Sequence, residues 1–590
     1  MGFIRRLFFL FGMISLLLFV LLVASVALMA WFGTRVEYGT VLELNLERRY
    51  VENAGTDVVA RLLGGAAPTV LGVVRALDAA SHDDRVIGLV AKVGEDTNLG
   101  FAQIQEIRDA VARFRRSGKR TVAWSESFGE FGPGNRGYYL ATAFEHIYLT
   151  PSGDLGLTGM VFASPFVAGT LDKLGVRPQL GKRGRYKNAV NLFTERRFTK
   201  AHRESIEDLM HSLFVQLLDG VGEARGMARD RVKAIVDGGP YTAREALEKG
   251  LVDGLLYRDE VYEGLERASD VKVHFLDLFT YLARVGGEWS EGDEEVAVVY
   301  GSGTIRRGSS GYDPLFGTTT MGSTTVSKAV RDAASDKGVK AIIFRVDSPG
   351  GSVVASDIIW RELVKARRQG KPVVVSMGNY AASGGYWVAT AADRIVAEPG
   401  TITGSIGVFA GKFYARKFWG MLGVTWDQVH TSRNSLLWSS LVPYDDEQWK
   451  LVQQWLDGIY EEFISRVAEA RGMSTARVRK IAEGRVWSGA QARELGLVDE
   501  LGGMKEAVDL AKKLAGIAPE AKVRLVFYPR PKPLWKSVLE LITGEHTDDG
   551  EVVYFDDARR VAGSVAPLLR GVTPALKPAD TALLMPAVLE

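Results

Sequence analysis

Residues 341–368 read AIIFRVDSPGGSVVASDIIWRELVKARR, and the fold class can be predicted from this segment. Ala341 to Val346 is a β-rich, mostly apolar run of the kind that forms a buried strand. Asp357 to Arg368 has helical periodicity, so the glycines between the two runs lie at a strand-to-helix turn. The same alternation predicts strands over Glu295–Tyr300, Pro372–Met377 and Arg394–Ala397, and helices over Tyr386–Ala392, Asp445–Arg471 and Thr475–Glu483. This order indicates an α/β fold with parallel strands and right-handed crossovers.

The chain contains two related halves. GYYLATA at 137–143 matches GYWVATA at 385–391, 248 positions later. Further on, EARGM at 223–227 matches the same five letters at 469–473, now 246 positions later. Ordered matches with a small drift in spacing indicate a duplicated domain. The Gly- and Trp-containing run over 286–292 suggests the boundary between the halves.

Two further segments carry weaker patterns. Gly301 to Thr325 is rich in Gly, Ser and Thr and predicts a mobile loop. Beyond the proline-rich run at 528–533 the pattern weakens, which predicts a partly ordered C-terminal appendage.

The composition excludes several classes of protein. The 590 residues carry 73 Lys and Arg against 71 Asp and Glu, a net charge of +2, so no global basic field supports nucleic-acid binding. A hydrophobic fraction of 46% excludes a disordered chain, and 24% charged residues exclude a polytopic membrane protein. With 0 Cys and 7 His, catalysis is expected to use hydroxyl, amine or carboxylate groups, without metal or cofactor.

One segment departs from these averages. Leu7 to Phe32 holds 26 residues without a charge, and a bilayer core needs about 20 apolar residues. Arg5 and Arg6 precede it, so the positive-inside rule keeps the N-terminus in the cytoplasm. A cleaved signal peptide, cut near Ser25-Val26-Ala27, is the alternative, but its apolar region usually runs about 7–15 residues. A buried helix of a soluble protein is a further alternative. We expect an uncleaved anchor, with residues from about Arg35 onward outside the cytoplasm.

Two strand-to-helix turns carry chemistry. The turn at 347–353, DSPGGSV, has two glycines that allow close approach of a ligand to main-chain N–H groups, as in an oxyanion hole. The turn at 382–387, ASGGYW, places Ser383 at the start of a helix beside Gly384. Each motif alone is also compatible with a plain turn or an N-cap serine. Their occurrence in one α/β unit favours a serine nucleophile.

A serine hydroxyl needs a base. His430 is the nearest downstream histidine, although it follows an apolar run and could be a surface imidazole. A neutral lysine is the alternative, and burial would have to lower its pKa from about 10.4.

The motifs SPGGS and ASGGYW, followed by Thr403-Gly404-Ser405-Ile406-Gly407, resemble the signal peptide peptidase A (protease IV) family, peptidase family S49, in its long duplicated bacterial form. The likeness covers about residues 1–525. It implies tandem ClpP/crotonase-like domains after one N-terminal transmembrane helix. The corresponding division is an anchor over 1–40, a first half over 41–285, a second half over 286–527 and an appendage over 528–590.

The resemblance also implies roles for individual residues. Ser383 matches the nucleophile, Gly351 and Gly384 the oxyanion-hole donors, and Ser405 a hydroxyl that holds the base. Lys187 matches the general base, a lysine in the first half. Two departures surround it, since Asn188 replaces the usual serine and residues 191–193 read Asn-Leu-Phe where Glu-Pro-Phe is common.

The repeat offers an independent check. At the spacing of 248, Ser383 aligns with Asn135 and Ser405 with Leu157, so the first half lacks the nucleophile. The glycine turn is matched to Thr97-Asn98, 253 positions earlier. Lys187 aligns with Ser435, so the second half lacks the base. Each half is incomplete, and together they hold one set of catalytic groups.

The resemblance implies a Ser/Lys serine endopeptidase that hydrolyses remnant signal peptides through an acyl-enzyme. It implies a bowl-shaped homotetramer at the bacterial inner membrane, with the catalytic domain in the periplasm. Two other classes stay open, a crotonase-type acyl-CoA enzyme and a non-catalytic membrane scaffold.

Overall fold

The computed structural model describes residues 35–53, 67–94, 97–313, 318–530 and 588–589. The predicted anchor over Leu7–Phe32 lies outside these residues, as does most of the predicted appendage. Within the described part of the chain, no helix combines the length and the hydropathy needed to cross a bilayer.

The first half contains a sheet of six parallel strands. Its four central strands supply the buried core residues, and the strand at each edge is only partly buried. In spatial order, the strands are His274–Asp277, Thr40–Asn45, Val86–Lys92, Arg120–Ser125, His146–Leu149 and Gly254–Leu255.

The second half contains a sheet of eight strands with the same core order. Its equivalent strands are Val523–Tyr528, Glu294–Ser302, Val339–Ser348, Val373–Ala382, Arg394–Ala397 and Glu500–Leu501. The long strand Val373–Ala382 also pairs with Ile402–Gly404, which in turn pairs antiparallel with Val486–Ser488. The first half has the counterpart of this last pair in Asp154–Leu155 and Tyr241–Thr242. The two sheets therefore confirm the α/β class, the parallel pairing and the duplication.

Helices cover the sheets and connect parallel strands. Their bounds are Val70–Ser81, Phe101–Arg116, Asn135–Ala141, Ala168–Lys173, Asn191–Thr194, Lys200–Arg225, Arg229–Gly238, Ala243–Glu248, Arg258–Arg267, Leu278–Val285, Ser323–Ser335, Val353–Arg368, Gly384–Ala389, Arg416–Met421, Asp446–Arg471, Thr475–Ile481, Gly489–Leu495 and Met504–Leu514. The predicted helices are confirmed within a few residues. Asp445 caps the long helix of the second half by accepting a hydrogen bond from Gln448 N.

The prediction of a mobile loop over Gly301–Thr325 is wrong for the residues that the structure describes. Thr304–Arg306 pairs parallel with Thr318–Gly322, which pairs antiparallel with Gly311–Asp313. The segment is not predicted as strands because its serines, threonines and glycines lack the apolar pattern of a buried strand. Its short strands form a small separate sheet. Beyond residue 530, Val588–Leu589 pairs with Phe162–Ala163.

The two halves share one hydrophobic core. Val296, Ile343 and Val374 of the second sheet pack in the same buried cluster as Leu77 and Ile107 of the first half. The halves are also joined by an antiparallel ribbon in which Arg177–Arg183 pairs with Val408–Tyr414. Shared apolar burial and shared backbone pairing hold the two units in one arrangement.

A buried arginine crosses the same interface. Arg345 of the second sheet is 2% exposed and lies 2.9 Å from a Glu52 oxygen and 2.6 Å from a Glu106 oxygen, both in the first half. Burial alone would raise the pKa of Glu52, but the charge and hydrogen bonds of Arg345 outweigh it and lower that pKa. The Glu52 carboxylate thus depends on the arginine for its burial as an anion.

We expect Arg345→Met to lower the free energy of unfolding by roughly 3–5 kcal/mol, because both carboxylates would remain buried without their cation. Urea unfolding followed by far-UV circular dichroism measures this change. The control is Arg267→Met, since Arg267 and its partner Glu263 are exposed and 4.0 Å apart. Equal midpoints for the two variants would contradict a structural role for the buried ion pairs.

Candidate active site

The first glycine turn follows the strand Val339–Ser348. Gly350 and Gly351 have φ values of +106° and +152°, and a Cβ on Gly351 would lie 2.2 Å from the carbonyl oxygen of Ile305. Ile305 N–H donates to Gly350 O over 2.9 Å, and Ser352 N–H donates to Ile305 O over 2.9 Å. The strand Thr304–Arg306 therefore clamps the turn from one side, and only glycine fits at residue 351.

The second turn places Ser383 between a strand and a helix. Ser383 has φ 54° and ψ −115°, outside the regions that L-residues prefer. Its N–H donates to Gly404 O over 2.8 Å, and its carbonyl accepts from Trp387 N over 2.9 Å. These two bonds hold a conformation whose cost is of order 1–3 kcal/mol.

The N–H groups of Gly351 and Gly384 lie close together. A Cβ on Gly384 would lie 3.3 Å from the nitrogen of Gly351, and a Cβ on Gly350 would lie 2.8 Å from the nitrogen of Gly384. Among the residues that the structure describes, neither N–H donates to a protein acceptor. Two free donors beside a serine hydroxyl are the arrangement that an oxyanion hole requires.

Lys187 reaches this place from the first half of the chain. The ribbon strand Arg177–Arg183 leads into it, and a short 3₁₀-helix over Asn188–Val190 follows it. Lys187 Nζ lies 3.0 Å from Ser383 Oγ, 2.8 Å from Ser405 O and 2.9 Å from Ser405 Oγ. The structure thus brings together Lys187, Ser383 and Ser405, which are far apart in sequence.

Burial lowers the proton affinity of the Lys187 amine. Lys187 is 4% exposed. Desolvation lowers its pKa to about 7. A neutral amine has two N–H donors and one lone pair. The two Ser405 oxygens can accept the two N–H groups, which leaves the lone pair for the hydroxyl proton of Ser383.

The two departures near Lys187 form a separate network. Asn191 Nδ2 donates to Asn188 Oδ1 over 3.2 Å, and Asn191 Oδ1 accepts from Lys182 Nζ over 3.1 Å. The ring of His202 lies 3.5 Å from Asn191 Nδ2, and burial lowers the pKa of that histidine to about 4. Asn188 makes no hydrogen bond to the Lys187 amine among the described contacts, so the amine is held by Ser405 instead.

The residues that align with Ser383, Ser405 and Lys187 in the other half of the chain make contacts typical of structural residues. Asn135, the counterpart of Ser383, donates from Nδ2 to Gly159 O and accepts from Thr158 N and Gly159 N. Leu157 is buried in the core. Ser435, the counterpart of Lys187, is exposed and bonds to Ser432. His430 is also exposed, and Ser383 has Lys187 as its side-chain partner.

A cavity of about 280 Å³ opens beside these groups. Most of its wall is apolar or aromatic, and both halves contribute to it. The non-polar lining includes Phe162, Leu192, Ile206, Leu209, Val353, Tyr380, Trp387, Ile402, Val408, Phe409, Ile459, Phe463 and Val486. Val353 and Trp387 stand in the two glycine-turn motifs. Sequence reasoning missed the other lining residues and Ile305, because no local motif marks a side chain that reaches the site through tertiary packing.

Known proteins with a similar sequence identify the class. The model of peptidase family S49 matches residues 113–272 and 365–518. Protease 4 of Salmonella typhi is 33% identical over 489 residues, which covers 81% of this chain and 76% of that protein. Protease 4 of Haemophilus influenzae is 31% identical over 511 residues, covering 82% and 80%. The chloroplastic serine protease SPPA of Arabidopsis thaliana is 31% identical over 476 residues, covering 78% and 68%.

The duplicated α/β fold and these relatives define a serine peptidase. The chain belongs to peptidase family S49, as the sequence motifs predicted.

We expect Ser405→Ala to lower kcat for a short peptide substrate by up to about tenfold. The variant removes the hydroxyl acceptor of Lys187 but keeps the carbonyl acceptor, and one hydrogen bond contributes about 0.5–1.5 kcal/mol. Steady-state hydrolysis of a chromogenic peptide measures the change. Ser432→Ala, at an exposed serine, is the control. A loss equal to that of Lys187→Ala would show that Ser405 does more than hold the amine.

Proposed function

We propose that this protein is a Ser/Lys endopeptidase that hydrolyses peptide bonds through an acyl-enzyme. The observation that carries the proposal is the 3.0 Å separation of Lys187 Nζ and Ser383 Oγ, at an amine whose pKa is lowered to about 7 by burial. A buried, neutral amine within hydrogen-bond reach of a hydroxyl is suited to act as its general base.

The proposed reaction has two stages, acylation and deacylation of Ser383. Neutral Lys187 accepts the Ser383 hydroxyl proton while Ser383 Oγ attacks the scissile carbonyl carbon. The N–H groups of Gly351 and Gly384 stabilise the oxyanion that forms. Lys187 then gives its proton to the leaving amine, which departs and leaves an ester on Ser383. In the second stage Lys187 accepts a proton from water, the hydroxide attacks the ester, and the proton returns to Ser383.

We propose remnant signal peptides and other short apolar peptides as substrates. Relatives of this chain carry the names Protease 4 and signal peptide peptidase. The wall of the cavity, with Tyr380, Trp387 and Phe463, suits apolar or small side chains. An extended peptide would add to a strand edge at the site, with main-chain hydrogen bonds supplying affinity.

We also propose that the protein is anchored in the bacterial inner membrane by residues 7–32, with its N-terminus cytoplasmic and its catalytic domain in the periplasm. The proposed assembly is a homotetramer with its sites facing an interior. Confinement of this kind would admit flexible peptides and keep folded proteins away from Ser383.

Two alternatives make different demands on the same residues. A crotonase-type acyl-CoA enzyme would use the N–H groups of Gly351 and Gly384 but would not need Ser383 or Lys187. A non-catalytic scaffold would need none of these groups. Covalent labelling of Ser383 therefore separates the peptidase from both.

We expect a fluorophosphonate probe to label the wild-type protein at Ser383. Labelling and peptide hydrolysis should both fall by at least about 10³-fold in Ser383→Ala and in Lys187→Ala, because nucleophile and base act as one unit. Gel fluorescence and mass spectrometry of the labelled peptide measure this. Lys200→Ala, at an exposed lysine, is the matched control. Hydrolysis that persists in Ser383→Ala would contradict the proposal.

The pH dependence follows from the pKa of the base. Only the neutral amine accepts a proton, and burial lowers the pKa of Lys187 to about 7. The value of kcat/KM for a short peptide should therefore rise with pH, reach half its maximum near pH 7 and level off above. Below the midpoint it should fall about tenfold per pH unit. A midpoint above pH 9 would indicate a solvated lysine and contradict the proposed role of burial.

A further inference from the structure

A tight turn over Glu483–Arg485 lies directly against Lys187. Glu483 and Gly484 have φ values of 45° and 75°, so two successive residues adopt the left-handed region. The turn follows the helix Thr475–Ile481 of the second half and precedes the strand Val486–Ser488. No chemical group of this turn takes part in the reaction proposed above.

Backbone hydrogen bonds connect the serine to the lysine through this turn. Ser383 N–H donates to Gly404 O, and the adjoining Ser405 N–H donates to Arg485 O over 2.7 Å. Gly484 N–H donates to Ile406 O over 2.8 Å. Tyr186 N–H, next to the lysine, donates to Glu483 O over 2.8 Å. These bonds form a ladder that spans both halves of the chain. It runs from Ser383 through residues 404–406 and 483–485 to residues 186–187.

Glycines allow the three segments of the ladder to approach. A Cβ on Gly484 would lie 2.6 Å from Lys187 N and 2.7 Å from Lys187 Cβ. A Cβ on Gly184 would lie 2.2 Å from the carbonyl carbon of Glu483, and one on Gly407 would lie 3.0 Å from Gly484 Cα. Side chains at these positions would push the backbone of Lys187 away from the second half.

The charged side chains around the ladder pair with one another. Arg185 lies 3.0 Å from Glu483, and Arg485 contacts Glu204 and Asp208. The guanidinium of Arg485 also stacks on the rings of Tyr186 and Trp487, 4.7 and 4.6 Å from their centres. The cause of the low pKa of Lys187 is burial.

We propose that the Glu483–Arg485 turn is a positioning element, with Gly484 as its positioning residue, that holds Lys187 and Ser405 in register with Ser383. The inference rests on the proposed function, in which Lys187 serves as the base of Ser383. The second half thereby supplies the backbone that positions the base, in addition to the nucleophile. A displacement of about 1 Å at such a site can reduce the rate about 10²-fold.

The test compares two left-handed glycines. Gly484→Ala adds a methyl against Lys187, whereas Gly472→Ala adds one at φ 60° with no atom within 4 Å. Both variants carry the same kind of backbone strain, so their difference reports the contact with Lys187. The measurement is kcat/KM for a short chromogenic peptide from pH 5 to 11, on the full-length protein.

We expect Gly484→Ala to lose at least about 10²-fold in kcat/KM at pH 7. Its pH midpoint should move up, because a displaced lysine gains solvent and its pKa returns toward 10.5. Gly472→Ala should keep the wild-type midpoint and rate. The inference is overturned if Gly484→Ala matches Gly472→Ala in both quantities.

Hydrogen exchange on the wild-type protein is a second test of the inference, and it does not depend on whether a variant folds. The amides of Tyr186, Ser405 and Gly484 should exchange slowly, as members of one hydrogen-bonded ladder. Exchange of these amides at unprotected rates would also overturn the inference. Activity that survives Ser383→Ala or Lys187→Ala would instead refute the proposed function, so the two failures are distinguishable.

Discussion

The site depends on the burial of one amine at the seam between two copies of the same domain. Taking Lys187 out of water disfavours its charged form, and the oxygens of Ser405 compensate by accepting hydrogen bonds from the amine. The amine comes from one half and its acceptors from the other. Any loosening of the seam would admit water and restore an ordinary lysine.

The seam itself is built from several kinds of interaction. The ribbon of 177–183 with 408–414 supplies backbone pairing, and the shared core supplies apolar burial. Arg345 adds ion pairs that are buried with Glu52 and Glu106. Buried ion pairs contribute little net stability, but a misaligned interface would leave their charges unpaired. They therefore favour one relative placement of the halves.

Backbone strain in the second half is concentrated at this seam. The structure describes four non-glycine residues with positive φ in the second half, and three of them, Ser383, Ser405 and Glu483, belong to the hydrogen-bonded ladder; the fourth is Trp289. Strained residues persist only where the surroundings over-determine their conformation. In the first half, Asn135 occupies the position of Ser383 with φ/ψ inside a helix and its amide bonded locally. Duplication thus left one copy with the strained turn and the other with the lysine.

The amino-acid sequence alone predicts the α/β class, the duplication, the two glycine turns and the residue types available for catalysis. Buried strands and turns leave a pattern within a few neighbouring residues, and the duplication shows directly as matching letters in two parts of the sequence. The family resemblance pointed to Lys187, but no local pattern shows that its amine lies 3.0 Å from Ser383. Three features emerge only from the folded chain: the clamp by Ile305, the small sheet within 301–325 and the Glu483–Arg485 turn against Lys187. Each of these depends on backbone hydrogen bonds between separate segments, and every residue type except proline carries the same backbone donor and acceptor, so the partners cannot be identified from side chains alone.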